Sequence, residues 1–308
     1  MGNSTAISLQ NIRKSFQETL ALDDITLDIQ EGELFGLIGP DGAGKTTLFR
    51  IIVTLMLQDS GNSTVFGLDT RKDFRELRKM IGYMPGRFSL YQDLTVEENM
   101  QFWATVFGTT IHENYHLVKD IYSHLEPFKK RKAGQLSGGM KQKLALSCAL
   151  IHHPRLLMLD EPTTGVDAVS RKEFWEMLQR LKSHDITIVV STPYMDEADL
   201  CERIALIQQG KILSIETPDH LKNSFEGTLY EIKAPQLYHL KEKINSHFHS
   251  QTAQLFGQSI HVTTNSALPE QELKTFLQNL GESQLELNVI KPTTEDCFIA
   301  KMSHHDTH

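Results

Sequence analysis

Short apolar runs bounded by turn-forming residues alternate with stretches of helical periodicity over about the first 225 positions. Ala6-Ile7-Ser8-Leu9 and Leu27-Asp28-Ile29 read as short strands, with Gln30-Glu31-Gly32-Glu33 as a turn. Leu34-Phe35-Gly36-Leu37-Ile38 is apolar without a break, the pattern of a strand buried on both faces. A helix is predicted from Thr46 to Leu57. Residues 97–151 are mostly helical in pattern, with Val96, Met100, Phe102-Trp103 and Val106-Phe107 near helical spacing. A second buried strand, Leu156-Leu157-Met158-Leu159, runs into Asp160-Glu161; residues 169–183 form an amphipathic helix, and Thr187-Ile188-Val189-Val190-Ser191 is a third buried strand. This alternation predicts a largely parallel α/β core, with the helical stretch set apart as a subdomain. Beyond about residue 225 the character changes. Tyr230–Lys233, Ser259–Thr264 and Leu285–Ile290 alternate like strands, and Leu237–Phe248 and Pro269–Leu280 read as helices. The expectation is a large domain over residues 1–225 and a small α+β domain over 226–308.

A chain of 308 residues can bury a sizeable core, and 40% hydrophobic with 23% charged residues is ordinary for a globular protein. The net charge of −8 argues against nucleic acid as a partner. Lys129-Lys130-Arg131-Lys132 is a local basic run, either a solvated loop or a small binding patch. Cys148, Cys201 and Cys297 are scattered and odd in number, which fits a reducing compartment and no disulfide framework. The opening Met-Gly-Asn-Ser-Thr lacks the blocks of a signal peptide, and no apolar run is long enough to span a bilayer. The tail His304-His305-Asp306-Thr307-His308 is either a metal ligand set or a frayed polar end.

The chemistry is concentrated in two places. Gly39-Pro40-Asp41-Gly42-Ala43-Gly44-Lys45-Thr46-Thr47 follows the first buried strand and opens a helix, the context a phosphate loop requires. Backbone N–H groups of residues 42–46 would wrap a β-phosphate, because glycines let the main chain approach and a helix N-terminus favours anions. Lys45 would reach the β- and γ-phosphates, Thr46 would ligate Mg²⁺, and Thr47 would add a bond to the α-phosphate. Asp160 ends a buried strand, where α/β sheets bind ligands, and suits the holding of Mg²⁺. Glu161 points differently and is the candidate general base for attacking water. Leu136-Ser137-Gly138-Gly139-Met140 opens another helix, predicted from Met140 to His152, whose serine hydroxyl, bare amides and dipole form a second anion site.

The phosphate loop, Leu136–Met140, Leu159-Asp160-Glu161-Pro162 and Gly165-Val166-Asp167 together resemble the ATP-binding cassette (ABC) transporter ATPases. Gly82-Tyr83-Met84-Pro85, residues 90–99 and Tyr194-Met195-Asp196-Glu197-Ala198 are most similar to the ABC-2-type exporter group with daunorubicin-resistance-like ATPases, including the N-terminal half of its tandem-cassette members. Pro292-Thr293-Thr294-Glu295-Asp296-Cys297-Phe298 resembles the ending of that group. The resemblance implies a P-loop NTPase cassette: a mostly parallel core sheet, an antiparallel β subdomain and an inserted helical subdomain, followed by the small α+β domain. It also implies ATP and Mg²⁺ as cofactors, and a dimer of cassettes on ABC-2-type permease subunits at the cytoplasmic face of a membrane. In such dimers ATP lies between one cassette's phosphate loop and the other's signature, so Ser137, Gly138 and Gly139 would serve a partner's nucleotide, and Asp167 would cross the interface. Phe16 occupies the place of the aromatic residue that stacks on adenine, or is ordinary strand packing.

Two positions depart from that pattern. Gly86 stands where the family has a glutamine, and Pro193 where it has a histidine; Gln92 lies too far along to substitute. Proline offers neither an imidazole nor an N–H. The resemblance then implies MgATP binding with slow hydrolysis, and a heterodimer with a more complete cassette in preference to a homodimer. A structural nucleotide-binding subunit and a non-transport ABC ATPase are the alternatives.

Overall fold

The computed structural model describes residues 4–248, 253–264, 270–280 and 285–305, with residues 303–305 described by backbone alone. The chain divides into two compact units, Met1–Thr217 and Pro218–His308. The division falls ahead of the expected 225/226 boundary, since the short helix Pro218–Asn223 packs against the helix Thr294–His305.

In the first unit, β1 (Thr5–Phe16) and β2 (Thr19–Gln30) pair antiparallel. After β3 (Leu34–Ile38) and α1 (Lys45–Ile52), the chain returns as β4 (Ser60–Val65) on the other edge of β1, followed by β5 (Leu68–Asp69). Alternate residues Ile7 and Leu9 of β1, with Ile25, Leu27 and Ile29 of β2, are buried in one core with Leu48, Phe49, Ile51 and Ile52 of α1. This is the antiparallel β subdomain. Its strands extend well beyond the short runs that the pattern marks.

Next come α2 (Phe74–Met80), β6 (Ile81–Met84), α3 (Val96–Val106), α4 (Tyr115–Tyr122), α5 (Gly138–Leu150), β7 (Leu156–Asp160), α6 (Ala168–Leu181), β8 (Thr187–Thr192), β9 (Arg203–Gln208) and β10 (Lys211–Glu216). The core sheet has the order β10-β9-β3-β8-β7-β6, parallel throughout except for β10. Strands β3, β7 and β8 are buried along their whole length, as their unbroken apolar runs predict. Their carboxyl ends lie side by side in the sheet.

Helix α1 stops at Ile52 rather than Leu57. Thr54 takes a left-handed conformation (φ +64°), which ends the helix, and Arg78 fixes it there by donating to the Thr54 hydroxyl at 2.9 Å and its carbonyl at 2.8 Å. Helix α3 starts on a capping box, with Thr95 N donating to Glu98 and Glu98 N to the Thr95 hydroxyl. Between α4 and α5 the chain makes only single 3₁₀ turns, so the inserted subdomain is less helical than its pattern. Helix α5 begins at Gly138, ahead of Met140.

In the second unit, α7 (Pro218–Asn223) precedes β11 (Thr228–Lys233), α8 (Leu237–Phe248), β12 (Ala253–Phe256), β13 (Ser259–Thr264), α9 (Glu270–Asn279), β14 (Glu286–Ile290) and α10 (Thr294–His305). The antiparallel sheet has the order β12-β13-β11-β14. Tyr230, Ile232, Ile260 and Val262 of the sheet bury against Leu240 and Ile244 of α8 and Leu273 and Leu277 of α9. The side chains of His304-His305-Asp306-Thr307-His308 lie outside the described residues. Among the described residues no helix is long and apolar enough to cross a membrane, and no group of three His, Cys, Asp or Glu could hold a metal ion.

Candidate functional site

The loop Gly39–Gly44 leaves β3 at the centre of the core sheet and delivers the chain into α1. Two of its glycines are dictated by space and conformation. A Cβ on Gly39 would lie 2.1 Å from the carbonyl oxygen of Ile207, and Gly44 has φ +106° with Ala21 O 2.7 Å from where its Cβ would be. Ala43 is buried and its carbonyl accepts from Gly210 N at 3.0 Å; Pro40, Asp41 and Gly42 are exposed. Lys45 is buried, and its ammonium donates to the carbonyls of Gly39 (2.8 Å) and Pro40 (2.9 Å). That curls the side chain back over the loop. The same ammonium is 3.1 Å from Glu161 Oε1.

Thr46, in the first turn of α1, donates to Asp160 Oδ1 at 3.1 Å, while Thr47 is half-buried. Asp160 is the last residue of β7 and is buried among hydroxyls. Ser191 Oγ on β8 donates to Oδ1 at 2.7 Å, and the Tyr83 phenol on β6 approaches Oδ2 at 3.5 Å. Burial first, and then the Asp160 charge, push the Tyr83 phenol up to about 12, so it stays protonated and able to donate. Glu161 has φ +50°, a left-handed conformation uncommon for a side chain of its size. Its N–H is held by the Ser191 carbonyl and hydroxyl, each at 3.0 Å. Phosphate loop, Asp160 and Glu161 thus meet in one site.

Gly86 belongs to the same place. A Cβ there would sit 3.0 Å from Asp160 O and 3.8 Å from Glu161 Cβ. Gln92 does not, since its carbonyl accepts from Gly134 N and its side chain flanks Gly134. Pro193 follows β8 directly, beside Thr192, whose carbonyl accepts from Gly39 N at 3.2 Å.

Ser137 caps α5, its hydroxyl accepting from Met140 N at 3.4 Å. The neighbours of the Ser137-Gly138-Gly139 turn are Gly165, whose carbonyl faces Gly138, and Ser170, whose Oγ would be 2.8 Å from a Cβ on Gly139. Asp167 caps α6 by accepting from Ser170 N at 3.0 Å, and that bond holds its carboxyl below the usual range. The signature turn and Asp167 form a second, exposed surface distinct from the Lys45–Asp160 site. Phe16 is 45% exposed, where β1 turns into β2. On β2 the Ala21 carbonyl abuts both Gly44 and Gly210, so the hairpin that carries Phe16 continues into the strand lying against the phosphate loop. The Lys14 ammonium lies 5.6 Å from the centroid of that exposed ring. Of the basic run, Lys129 pairs with Glu97 at 3.6 Å and Arg131 lies 4.6 Å over Phe128.

Sequence reasoning passed over Ser191, Tyr83, Thr163, Thr192 and Glu197. Ser191 and Thr192 carried a signal, since hydroxyls at the end of an apolar strand face the ligand side of an α/β sheet. Nothing in spacing pointed to Tyr83 or Glu197.

Residues 22–164 match the family model described as ABC transporter. The chain is 35% identical, over 96% of its length, to the probable multidrug ABC transporter ATP-binding protein YbhF of Escherichia coli K12, of which it covers 52%. The chain therefore spans about half the length of that relative. It is 34% identical to the Nod factor export ATP-binding protein I of Rhizobium sp. N33, with 96% of this chain and 97% of the relative covered. Against the linearmycin resistance ATP-binding protein LnrL of Bacillus subtilis 168 it is 36% identical, with 72% of each chain covered. Among solved structures, an ATP-binding subunit of an ABC transporter superposes with a TM-score of 0.65 at 26% identity, covering 72% of this chain and 93% of that one. A dimeric ATP-binding cassette in a post-hydrolysis state with ADP and Pi gives 0.62 at 27% identity, covering 68% and 98%. With the phosphate loop at the end of β3, Asp160 at the end of β7 and the signature turn at the head of α5, the chain belongs to the ATP-binding proteins of the ABC transporter family.

Proposed function

We propose that this chain is the ATP-binding and ATP-hydrolysing subunit of an ABC-2-type export complex. It acts through a separate permease at the cytoplasmic face of the membrane and pairs with a second cassette. The observation that carries the reading is the convergence of Lys45, Thr46, Asp160 and Glu161 within contact distance at the carboxyl end of the parallel sheet. Export is supported by the names of the multidrug, Nod factor and linearmycin relatives.

The residues fit MgATP. Glycine-lined backbone N–H groups suit phosphates, and the Thr46 hydroxyl and Asp160 carboxylate are hard oxygen donors of the kind Mg²⁺ takes, so these two would hold it. When bound, Mg²⁺ supplies positive charge beside the β- and γ-phosphoryl oxygens. Lys45 would turn from Glu161 to the same phosphates, and Glu161 would accept a proton from, and orient, the attacking water. Phe16 would cover the adenine. Gly86 and Pro193 leave that water and the γ-phosphate without two side-chain partners. Loss of one preorganised donor lowers a rate roughly 10²–10³-fold, so the chain's own site turns over slowly. Ser137, Gly138 and Gly139 would complete the partner cassette's site, which favours a heterodimer.

The bare Gly86 and Pro193 also favour a second reading, a nucleotide-binding subunit with negligible hydrolysis of its own. Phosphate release by the chain alone, and then with a second cassette, separates the two. Slow turnover is expected from the chain alone, and Glu161→Gln should remove it. In the complex Ser137→Ala should remove most activity, whereas Lys45→Ala should leave a larger share. Rapid turnover that survives Glu161→Gln would sink the catalytic assignment.

A further inference from the structure

Glu197 is a charged side chain with 1% exposure, in the 3₁₀ turn after β8, and the hydrolysis reading above gives it no task. Its two oxygens serve two different loops. Oε2 accepts from the Thr192 hydroxyl at 2.6 Å, and Oε1 accepts from the Thr163 hydroxyl at 2.8 Å. Arg171 Nε, on α6, lies 3.7 Å from the same Oε1. Thr163 and Thr192 are themselves buried, so the carboxylate is enclosed and each oxygen has a partner. A buried charge of this kind gives little net stability compared with an apolar residue of similar shape. What it does supply is a fixed connection.

The connection spans the segment from Glu161 to Asp167. At the near end, Glu161 is held in its left-handed conformation by the Ser191 carbonyl and hydroxyl. In the middle, Thr163 is tied to Glu197. At the far end Asp167 caps α6, the Asp167 carbonyl accepts from Arg171 N at 2.9 Å, and the Arg171 side chain returns to Glu197. Arg171 also pairs with Asp196 at 2.7 Å and lies 4.9 Å over the Tyr194 ring, so it is anchored on the Glu197 side. Through Thr192 the clasp reaches β8, which also carries Ser191, the donor to Asp160. One carboxylate therefore joins the ends of β7 and β8 and the head of α6.

We propose that Glu197 is a positioning residue for Glu161: by tying Thr163, Thr192 and Arg171 together, it holds the Glu161–Asp167 segment in the path that aims the Glu161 carboxylate at the phosphate site. Without the clasp only the Ser191 contacts hold Glu161 in the left-handed turn, which side chains rarely adopt, and the segment from Thr163 onward is free to carry the carboxylate off its line. This rests on the reading of Glu161 as the base in ATP hydrolysis. The clasp meets the phosphate loop only through the Thr192 carbonyl, which accepts from Gly39 N, and through Glu161, which holds Lys45, so its loss should not weaken nucleotide binding.

The test uses the full chain. Glu197→Leu should lower kcat tenfold or more without raising KM for ATP. Glu197→Gln keeps both threonine contacts, since a hydroxyl can accept from the amide as well as donate to it, and should stay within threefold of the parent. Thr163→Val removes one contact only and should fall between them; it also guards against a Glu197→Leu chain that fails to fold. Backbone amides of residues 161–167 should exchange faster in Glu197→Leu, and those of residues 42–46 should not change. An unchanged kcat, or a rise in KM together with faster exchange at residues 42–46, would each overturn the proposal. If Glu161→Gln alone leaves turnover intact, the base assignment itself falls. If that variant is inactive while Glu197→Leu matches the parent, only the clasp falls.

Discussion

Gly86→Gln combined with Pro193→His should raise ATP turnover by about 10²–10³-fold, the largest gain any pair of substitutions in this chain is expected to give. Both positions border the site directly. A Cβ at Gly86 would meet Asp160 O at 3.0 Å, a tight contact that a shift of a few tenths of an ångström relieves, and Gly86 is not among the positive-φ glycines. A glutamine can therefore be accommodated, and its Cβ would lie 3.8 Å from Glu161 Cβ, within reach of a water that Glu161 orients. At 193, histidine returns an imidazole and a backbone N–H directly after Thr192, the residue whose carbonyl accepts from Gly39. The two gains should not multiply, because both groups act on one transition state. Steady-state phosphate release by parent, single and double variants measures the effect. A double variant that binds MgATP normally yet stays as slow as the parent would show that the missing side chains are not what limits the site.

Lys45→Ala should weaken MgATP binding at least about 100-fold. The ammonium is buried and has three acceptors within 3.1 Å: the Gly39 and Pro40 carbonyls and Glu161 Oε1. Phosphate oxygens would replace Glu161 Oε1 and one of the two carbonyls. Hydrogen bonds to a charged group contribute roughly 1.5–3 kcal/mol each, so the loss of two is enough for the stated effect. Fluorescent-nucleotide titration with a parallel thermal melt separates lost affinity from lost folding. Unchanged affinity in a folded variant would remove the phosphate-loop assignment.

The most legible parts of this molecule were those where one physical cause dominates. Leu34–Ile38 and Leu156–Leu159 are apolar throughout, Thr187–Ser191 is apolar between its two hydroxyl residues, and each is a strand buried on both sides. The glycines of 39–44 announced a main chain that can approach a phosphate, whereas the close approach of Ile207 O to Gly39 and of Ala21 O to Gly44 is visible only in the fold. What escaped was set by tertiary contacts. The end of α1 depends on Arg78, which holds Thr54 from a helix more than twenty residues away. Strand β12 is four residues long, too short for its alternation to stand out. Glu197 entered only as a member of the Tyr194–Ala198 motif, because spacing cannot show that Thr163 folds back onto it.

The contact between Lys45 and Glu161 sets up a contest for a single cation. The phosphates of an incoming nucleotide and the carboxylate of the base want the same ammonium, 3.1 Å from Glu161 Oε1. Binding is reciprocal in free energy: whatever the carboxylate takes from the phosphates, the phosphates take from the carboxylate. A nucleotide that wins Lys45 thereby unmasks the base, and an unmasked base without phosphate beside it becomes a rare event. The interlock has a measurable signature, for Glu161→Gln withdraws one competitor and should make the chain hold ATP several-fold more tightly even as it stops consuming it.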